Sequence, residues 1–230
     1  MISAPAPAKI NLALAVGETR ADGRHEVATL LQRVELADTI SLEPALTGLQ
    51  RTTLHWGDAL RLDLSALDPP PTKLVSNLPY HVATPIVVES IDRLPSLALW
   101  CVMVQREVAD RFFAPPGSRA YGAVSVLVQL AAARTGFHPV SREVFRPRPN
   151  VDSALVAFRR VAPGIDPAVK RLVEGAFAHR RKTLVNSLAV ALAVPRERAV
   201  AALAAGGLQP GVRAEELEPA AFISLAAALA

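Results

Sequence analysis

The chain has 230 residues, of which 51% are hydrophobic, and a formal net charge of +4, which suits a globular protein of one large or two small domains. No apolar run is long enough to span a bilayer, and the start, MISAPAPAKINL, lacks the basic region and apolar stretch of a secretory signal, so a cytoplasmic protein that does not enter the membrane is expected. The single cysteine, Cys101 in LALWCVMV, excludes an internal disulfide and a cysteine-rich metal site, and it is expected to be a buried thiol.

The first part of the chain, residues 1–46, is predicted to be a β-rich head. Its apolar segments have the pattern of strands, and a turn-rich stretch, GETRADGRHE, separates them. The predicted strands are KINLALAV, VATLLQRVEL and DTISLEP, and ALTGLQR is interpreted as the junction to the next part.

Residues 51–161 alternate strand and helix patterns, which predicts a doubly wound α/β sheet. Strands are predicted at TTLHW, KLVSNL, LALWCVMVQ, PVSREVF and DSALVAFRRV, and helices at TPIVVESIDRL and AVSVLVQLAAAR. Thr84 is expected to cap the first of these helices, with Pro85 at the first helical position. The almost continuous apolar run LALWCVMVQ predicts a strand that is buried on both faces.

Residues 162–230 carry apolar residues at helical spacing and are predicted to form a helical domain. The long stretch DPAVKRLVEGAFAHRRKTLVNSLAVAL is expected to contain a break. Two further helices are predicted at PRERAVAALAAGGL, which ends at its glycine pair, and at AEELEPAAFISLAAALA.

The segment SNLPY places polar and aromatic groups where a predicted strand ends, because Pro79 can neither donate to a ladder nor continue a helix. Ligands of open α/β sheets bind at that edge. The side-chain carbonyl of Asn77 and the backbone carbonyl of Leu78 supply two acceptors for an adenine amine, and Tyr80 offers a face on which a flipped base can stack. The alternative is an ordinary structural turn, since asparagine before proline is common in turns.

Three further segments carry candidate binding groups. In FRPRPN, Phe145 is a candidate for stacking on a base, and Arg146 and Arg148 are candidates for phosphate contacts. In PPGSRAYG, Arg119 and Tyr121 are expected to be available to RNA. The segments FRR (158–160) and AHRRKTLVNS (178–187) add positive charge that attracts phosphate backbones, the alternative being a solvated arginine-rich surface.

Taken in order, seven segments of the chain resemble the ribosomal RNA adenine dimethyltransferase family of the small subunit, over residues 51–230. These segments are GDAL, NLPY, MVQREVADR, PGSRAYGAVSV, FRPRPNVDS, HRRKTLVNSL and RAEEL. The resemblance implies a Rossmann-like methyltransferase domain, residues 51–161, and a helical RNA-facing domain, residues 162–230. It also implies dimethylation of two neighbouring adenosines near the 3′ end of small-subunit ribosomal RNA, with S-adenosylmethionine as the methyl donor.

The family's site residues carry over to matching positions. By resemblance, Asp58 and Ala59 contact the cofactor, and Asn77 lies between the cofactor and the target amine. Tyr80 and Phe145 enclose the target base, and Leu78 and Pro79 complete the catalytic turn. The RNA-binding residues implied are Arg119, Arg146, Arg148, Arg180, Arg181 and Lys182. A monomer acting on the assembling small ribosomal subunit is expected, and no metal site is expected because the five histidines lack ligand spacing.

The segment before Asp58 departs from that family, which opens with a strand and a Gly-rich loop of E-x-G-x-G type. Here the glycines before Asp58 are Gly17, Gly23, Gly48 and Gly57, with no G-x-G among them. The prediction is therefore a truncated Rossmann-like methyltransferase sheet that lacks two central strands, with a C-terminal helical subdomain and the β-rich head. Either the head's strands fill the gap, or the strand TTLHW is unpaired and leaves exposed sheet edges.

The head has a resemblance of its own. Residues 4–40 are similar to the N-terminus of 4-diphosphocytidyl-2-C-methyl-D-erythritol kinase, through PAKINL and DG-x-HE. The resemblance implies Lys9 as a catalytic lysine and His25 as a contact of the cytidine base, with Arg24 where that family usually has a tyrosine. Nothing after residue 46 supplies that family's Gly-rich ATP loop or its catalytic aspartate.

Three functions stay open at this point. The chain is an adenine dimethyltransferase of ribosomal RNA, whose activity the missing Gly-rich loop impairs to an unknown degree. Alternatively, it is a non-catalytic remnant that binds RNA through its basic clusters. The third function, a fragment of an isoprenoid-pathway kinase, has the support of the first forty residues alone.

Overall fold

A computed structural model describes residues 59–145, 148–179 and 181–229 in full, and five earlier strands by their backbone. Strands and helices alternate through much of this described part, so the predicted α/β class is confirmed. The strands are β1 (Ile2–Pro7), β2 (Leu12–Thr19), β3 (His25–Leu31), β4 (Ala37–Leu42), β5 (Thr52–Trp56), β6 (Lys73–Asn77), β7 (Leu99–Gln105), β8 (Ala132–Val140) and β9 (Ser153–Arg160). The helices are α1 (Ala83–Arg93), α2 (Arg106–Phe112), α3 (Ala123–Ala131), α4 (Pro167–Phe177), α5 (Leu184–Leu192), α6 (Arg196–Ala205) and α7 (Pro219–Leu229).

The described chain falls into two compact units. Residues 1–108 and 134–160 form one, which we call the sheet unit, and residues 109–133 and 161–230 form the other, the helical unit. The division into a head (1–46), a methyltransferase domain (51–161) and a helical domain (162–230) stays a prediction. Among the described residues, no helix combines the length and the apolar character that a membrane crossing needs.

Strands from the head lie inside the main sheet, whose order is β5-β3-β2-β6-β7-β9-β8. Strand β2 pairs antiparallel with β6, with Ala13 opposite Ser76, and β3 pairs parallel with β5, with Val27 opposite Thr52. The head's strands therefore fill the gap between β5 and β6, and the alternative of an unpaired TTLHW strand is wrong. Strands β1 and β4 pair with each other in a separate two-stranded sheet.

One face of β7 is buried, and the prediction of burial on both faces is wrong. Trp100, Val102 and Val104 are at most 1% exposed, whereas Leu99 is 41% exposed. Cys101 is half-buried rather than buried. The buried face packs against α1, since Trp100 Nε1 donates a 2.9 Å hydrogen bond to Ser90 Oγ. An apolar run in a strand thus does not by itself show that both faces are covered.

Two boundaries also differ from the prediction. Helix α1 begins at Ala83 with Val82 at its N-cap, two positions before Thr84, so Pro85 is the third helical residue rather than the first. Helix α3 ends at Ala131, and the chain continues directly as β8, through Thr135 and Gly136, two residue types that disfavour helix. The predicted strand PVSREVF is a strand only at Pro139 and Val140, the end of β8, because Ser141 then accepts a hydrogen bond from the Glu143 amide and starts a short 3-10 turn over 142–144.

The core of the sheet unit is centred on Trp100. Its ring stacks on Phe158 at a centroid distance of 5.2 Å, and the guanidinium of Arg160 lies 5.0 Å from the ring centroid. Arg160 also donates hydrogen bonds to carbonyls at the end of α1 and just beyond it, those of Ile91 (3.2 Å), Leu94 (2.9 Å) and Leu97. The segment FRR is therefore largely structural, since it supplies a buried ring and a helix-capping arginine.

The helical unit confirms the predicted run of helices with a break after Phe177. Helix α4 packs against α3, α5 and α7, and Phe177 contacts Phe222 and Tyr121 through its ring. Helices α4 and α5 approach closely at Gly175, where an added Cβ would lie 2.6 Å from Leu192 Cγ. Ser187 Oγ donates to the Gly175 carbonyl at 2.9 Å, which joins the two helices at the same point.

Candidate active site

Four strands of the sheet unit end at one edge. Strands β6 and β7 are parallel, and β3 and β5 run the same way because β2 is antiparallel to both β3 and β6. Asn77 is the last residue of β6 and lies beside Met103 of β7. Because ligands of open α/β sheets bind at the carboxyl ends of strands, the predicted position of Asn77 at a strand end is confirmed, and this edge is the candidate site.

The turn after Asn77 is held by its backbone and by one buried side chain. The Leu78 amide donates to the Met103 carbonyl at 3.0 Å, and the Val82 amide donates to the Pro79 carbonyl at 3.1 Å. Leu78 is 2% exposed, while Asn77 is exposed to solvent. The turn therefore presents the amide of Asn77 on a fixed backbone.

The turn carries two carbonyl acceptors, one on the exposed residue Asn77 and one on the buried residue Leu78. Within the part of the chain that the structure describes, no hydrogen bond reaches the side chain of Asn77 or the carbonyl of Leu78. Both are carbonyl oxygens on adjacent residues, and a primary amine has two hydrogens to donate. Two acceptors match in number the two hydrogens of an exocyclic amine such as that of adenine.

The hydroxyl of Tyr80 joins the turn after β6 to β9, which lies two strands away in the same sheet. Its Oη lies 2.8 Å from Ser153 Oγ, at the start of β9. Ser153 is fully buried and pairs with Gln105, the last residue of β7. Tyr80 itself is half-buried.

Phe145 lies on a loop that internal ionic and hydrogen bonds close. The Arg142 amide donates to Asp152 Oδ1 at 3.0 Å, and Arg142 Nη1 donates to the Asn150 carbonyl at 2.9 Å. Arg148 and Glu143 form an exposed ion pair at 2.7 Å. Phe145 is half-buried, and Arg148 is engaged within its own loop rather than pointing to solvent alone.

The cofactor side of the site is described in part. Asp58 lies outside the described residues. Ala59 is 7% exposed and lines an apolar cavity of about 30 Å³ that is enclosed by residues 59–71, β6 and α1. Besides Asn77, the predicted cofactor-binding residues are Asp58 and Ala59. The structure describes only Ala59, which is buried.

The predicted RNA-binding residues of the helical unit lie in two loops. Arg119 is exposed in the loop between α2 and α3, two residues after Gly117, whose φ of 77° is left-handed. Arg181 and Lys182 are exposed in the turn between α4 and α5. Arg180 and Arg146 lie outside the described residues.

Tyr121 is not available to RNA, contrary to the prediction. It is 5% exposed, and its hydroxyl donates to the Leu217 carbonyl at 2.7 Å. Burial, with a smaller contribution from the charge of Glu218, raises the pKa of Tyr121 above its ordinary value. The aromatic residue after Arg119 is therefore part of the helical core.

Sequence reasoning missed Ser153, Asp152 and Arg160 as residues that support the site or its sheet. The only local signal was the polar pair Asp-Ser at the start of an apolar strand. The partners of Ser153 and Arg160 lie more than 60 positions away in the chain, so spacing could not reveal them. Among the described residues, no group of three His, Cys, Asp or Glu side chains could hold a metal ion.

Comparison with known families places the chain. The family model for ribosomal RNA adenine dimethylase matches residues 33–230, beginning upstream of residue 51, where the resemblance was placed from motifs. The chain therefore belongs to the ribosomal RNA adenine dimethylase family and is a methyltransferase by that membership.

Two relatives illustrate the match. Ribosomal RNA small subunit methyltransferase A of Rubrobacter xylanophilus is 45% identical over 208 residues, which cover 86% of this chain and 78% of the relative. The protein of the same name from Leifsonia xyli subsp. xyli is 44% identical over 211 residues, which cover 90% of this chain and 71% of the relative.

Two solved structures share the fold. A dimethyladenosine transferase from Plasmodium falciparum aligns over 79% of this chain and 74% of its own, with a TM-score of 0.65 and 21% identity. The 23S rRNA methyltransferase ErmE aligns over 80% of this chain and 74% of its own, with a TM-score of 0.55 and 24% identity. They confirm the predicted Rossmann-like methyltransferase fold.

Proposed function

We propose that this chain dimethylates two neighbouring adenosines near the 3′ end of small-subunit ribosomal RNA, with S-adenosylmethionine as the methyl donor. The observation that carries the proposal is the turn after β6, at the edge of the sheet where ligands bind: no hydrogen bond from the described residues reaches the carbonyl acceptors of Asn77 and Leu78. Family membership supplies the reaction class.

The chemistry requires an adenine amine whose lone pair is drawn out of conjugation with the ring. In the proposed complex, the two amine hydrogens are donated to Asn77 Oδ1 and to the Leu78 carbonyl, and this pair of bonds turns the lone pair away from the ring plane. Pro79 keeps the second acceptor in place because its φ is fixed. Bound S-adenosylmethionine supplies an electrophilic sulfonium methyl, so the chain needs no strong general base before transfer.

Two aromatic residues hold the base itself. Tyr80 and Phe145 stack on opposite faces of the flipped adenine, and such stacking contributes about 1–3 kcal/mol per base. Tyr80 starts from a fixed orientation because its hydroxyl is bound at Ser153. A second methylation uses the same acceptors less completely, since the monomethylated amine has one hydrogen left.

The cofactor would be held by Asp58, Ala59 and Asn77. Asn77 fits this role because it is exposed and has no described hydrogen-bond partner. The chain has no G-x-G before Asp58, and in the proposal the head replaces this loop. Support comes from the sheet order, in which β2 and β3 occupy the two positions between β5 and β6. The kinase-like head would then serve as sheet strands, with Lys9 and His25 outside any kinase chemistry.

The RNA-binding residues in the proposal are Arg119, Arg146, Arg148, Arg180, Arg181 and Lys182, which would meet phosphates of the assembling small subunit. Arg119, Arg181 and Lys182 support this role by their exposure. Arg148 would first exchange its ion pair with Glu143 for a phosphate, and such exposed pairs contribute at most about 1 kcal/mol. The protein would act as a monomer in the cytoplasm.

The experiment is methyl transfer from labelled S-adenosylmethionine to purified, unmethylated small subunits, followed by nucleoside mass spectrometry. The expected product is N6,N6-dimethyladenosine, and Asn77→Ala should lower the rate by about 10²-fold or more because one acceptor is lost. Absence of label in the RNA with the unaltered chain would refute the proposal.

A second candidate function, RNA binding without catalysis, is favoured by the exposed basic turn at Arg181 and Lys182 together with the missing Gly-rich loop. It predicts RNA affinity that falls steeply with salt and is indifferent to S-adenosylmethionine. Affinity that does not change with salt would count against it. Kinase activity is the least supported function, and no ATP turnover is expected.

A further inference from the structure

We propose that the dipeptide Asp152–Ser153 is a positioning element that sets the relative placement of Tyr80 and Phe145. The inference deepens the proposed function and rests on it. Ser153 holds Tyr80 directly, and Asp152 closes the loop that carries Phe145. In the proposed function neither residue is placed against the reacting atoms, and both act through other residues.

The contact with Tyr80 is well suited to orient a ring. Tyr80 lies in a turn, and its hydroxyl is the atom farthest from the backbone. Its partner, Ser153 Oγ at 2.8 Å, belongs to a side chain that is fully buried at the first position of β9. Because β9 pairs with β7 from Ser153 to Arg159, the serine is part of a paired strand, and the ring is held at both ends.

Asp152 holds together the two ends of the loop that carries Phe145. Its carboxylate accepts from the Arg142 amide at 3.0 Å, and its backbone carbonyl accepts from the Arg106 amide at 3.0 Å. The Phe145 amide in turn donates to the Arg142 carbonyl at 3.3 Å. The start of the loop and the start of β9 are thus joined three residues before Phe145.

Through these contacts, the two adjacent residues Asp152 and Ser153 bind both Tyr80 and the loop that carries Phe145. A base is held by stacking only when the two rings are at the correct separation, and small displacements of a bound substrate cost rate. The alternative explanation is that Ser153 is an ordinary buried serine whose hydroxyl bonds to the nearest polar group and positions nothing. The two explanations differ in what happens to Tyr80 and to substrate affinity when the hydroxyl is removed.

The first measurement follows the hydrogen bond itself. The chain has only two tyrosines, Tyr80 and Tyr121, so ring-carbon labelling gives two Cζ signals in an NMR spectrum, and Tyr80→Phe assigns them. Ser153→Ala should shift the Tyr80 signal and leave that of Tyr121 in place. An unchanged Tyr80 signal would overturn the proposal, whether or not the chain methylates RNA.

The second measurement separates positioning from stability. Ser153→Ala and Tyr80→Phe should each raise KM for unmethylated small subunits about fivefold to tenfold with kcat little changed, the loss expected for one hydrogen bond made before and during transfer. The double variant should be no worse than the poorer single variant, because both changes remove the same contact. Ser90→Ala, which removes a buried hydroxyl of α1 that is bonded to the Val87 carbonyl and to Trp100 Nε1, is the matched control and should leave KM unchanged.

The outcomes are distinct. Multiplying effects in the double variant, or an unchanged KM in Ser153→Ala, would show that the serine is only structural. If the unaltered chain transfers no methyl group, the proposed function fails as a whole. The NMR result would then still decide whether Ser153 orients Tyr80.

Discussion

Arg160 shows at the scale of one residue how a basic side chain serves the sheet rather than the RNA. Its guanidinium satisfies carbonyls at the end of α1 and lies over Trp100. Burial lowers the pKa of Arg160, with Asp92 opposing this effect, but arginine stays charged at any ordinary pH. The charge therefore remains available to cap the helix.

We expect Arg160→Met to lower the free energy of unfolding by about 2 kcal/mol, since the carbonyls would lose charged donors while the apolar stem is kept. Urea denaturation measures this change. The control is Arg159→Met, an exposed neighbour on β9, which should change stability by less than about 0.5 kcal/mol. Equal effects in the two variants would contradict the capping role.

Tyr121 predicts a pH dependence in the helical unit. Its pKa is raised above the ordinary value of 10.0, mainly by burial. The unfolded chain therefore loses this proton first as the pH rises, so the stabilising contribution is complete below about pH 10 and declines above it. We expect Tyr121→Phe to show a shallower loss of stability above pH 10, measured by denaturation between pH 8 and 11. The same slope in both proteins would show that Tyr121 does not contribute.

Residue-scale prediction from sequence succeeded where the cause was local. Pro79 ends β6 by its own chemistry, and Asn77 is consequently at the strand end, as expected. The burial of Tyr121 and the hydrogen bond of Ser153 depend on partners 96 and 73 positions away. No local pattern encodes such contacts, which is why the first was predicted wrongly and the second was not predicted.

At the scale of elements, the contact of α4 with α5 depends on the absence of a side chain at Gly175. A Cβ there would lie 2.6 Å from Leu192 Cγ and 2.8 Å from its Cδ1. Alanine is favoured over glycine within a helix by about 1 kcal/mol, while overpacking costs typically 1–3 kcal/mol. We expect the clash to outweigh the better helix propensity of alanine, because the hydrogen bond from Ser187 to the Gly175 carbonyl holds the two helices together.

We therefore expect Gly175→Ala to destabilise the protein by about 1 kcal/mol in thermal or urea unfolding. Adding Leu192→Ala should recover stability relative to Gly175→Ala alone, because the clashing side chain is removed. Gly164→Ala is the control, as an added Cβ there meets nothing within 4 Å. If Gly175→Ala is instead more stable than the unaltered protein, then the close contact of α4 with α5 does not require glycine at position 175.

Strands and helices with strong periodicity were predicted well, and mixed segments were not. The pattern of α4 and its break before α5 follow from apolar spacing. The stretch 132–145 has few apolar residues and includes Gly136 and Pro139, so its propensities are weak and tertiary pairing with β9 decides its form. The strand was consequently placed too late in the chain.

At the scale of the whole molecule, the head is part of the sheet that carries Asn77. Strand β2 pairs with β6, and β3 pairs with β5. Composition and motif could identify the head as β-rich, but strand order depends on pairings between distant segments, so two arrangements had to stay open. The observed order resolves them in favour of a filled sheet.

Removal of residues 1–50 should therefore expose the edges of β5 and β6 and cause aggregation during refolding. Light scattering of the refolded protein measures this. Removal of residues 1–7 is the matched control, because β1 pairs only with β4 among the described strands; it should have a much smaller effect. A soluble, monomeric chain without residues 1–50 would contradict the role of the head in the sheet.

The central proposal is that this chain, which has no G-x-G before Asp58, binds S-adenosylmethionine beside Asn77. Calorimetry of S-adenosylmethionine binding to the purified protein, with Asn77→Ala as the control, tests it most directly. We predict binding in the micromolar range that the substitution weakens by about tenfold, the loss of one hydrogen bond to a charged group. No heat of binding with the unaltered chain would contradict the claim, and the turn at 77–80 would then be a structure without its cofactor.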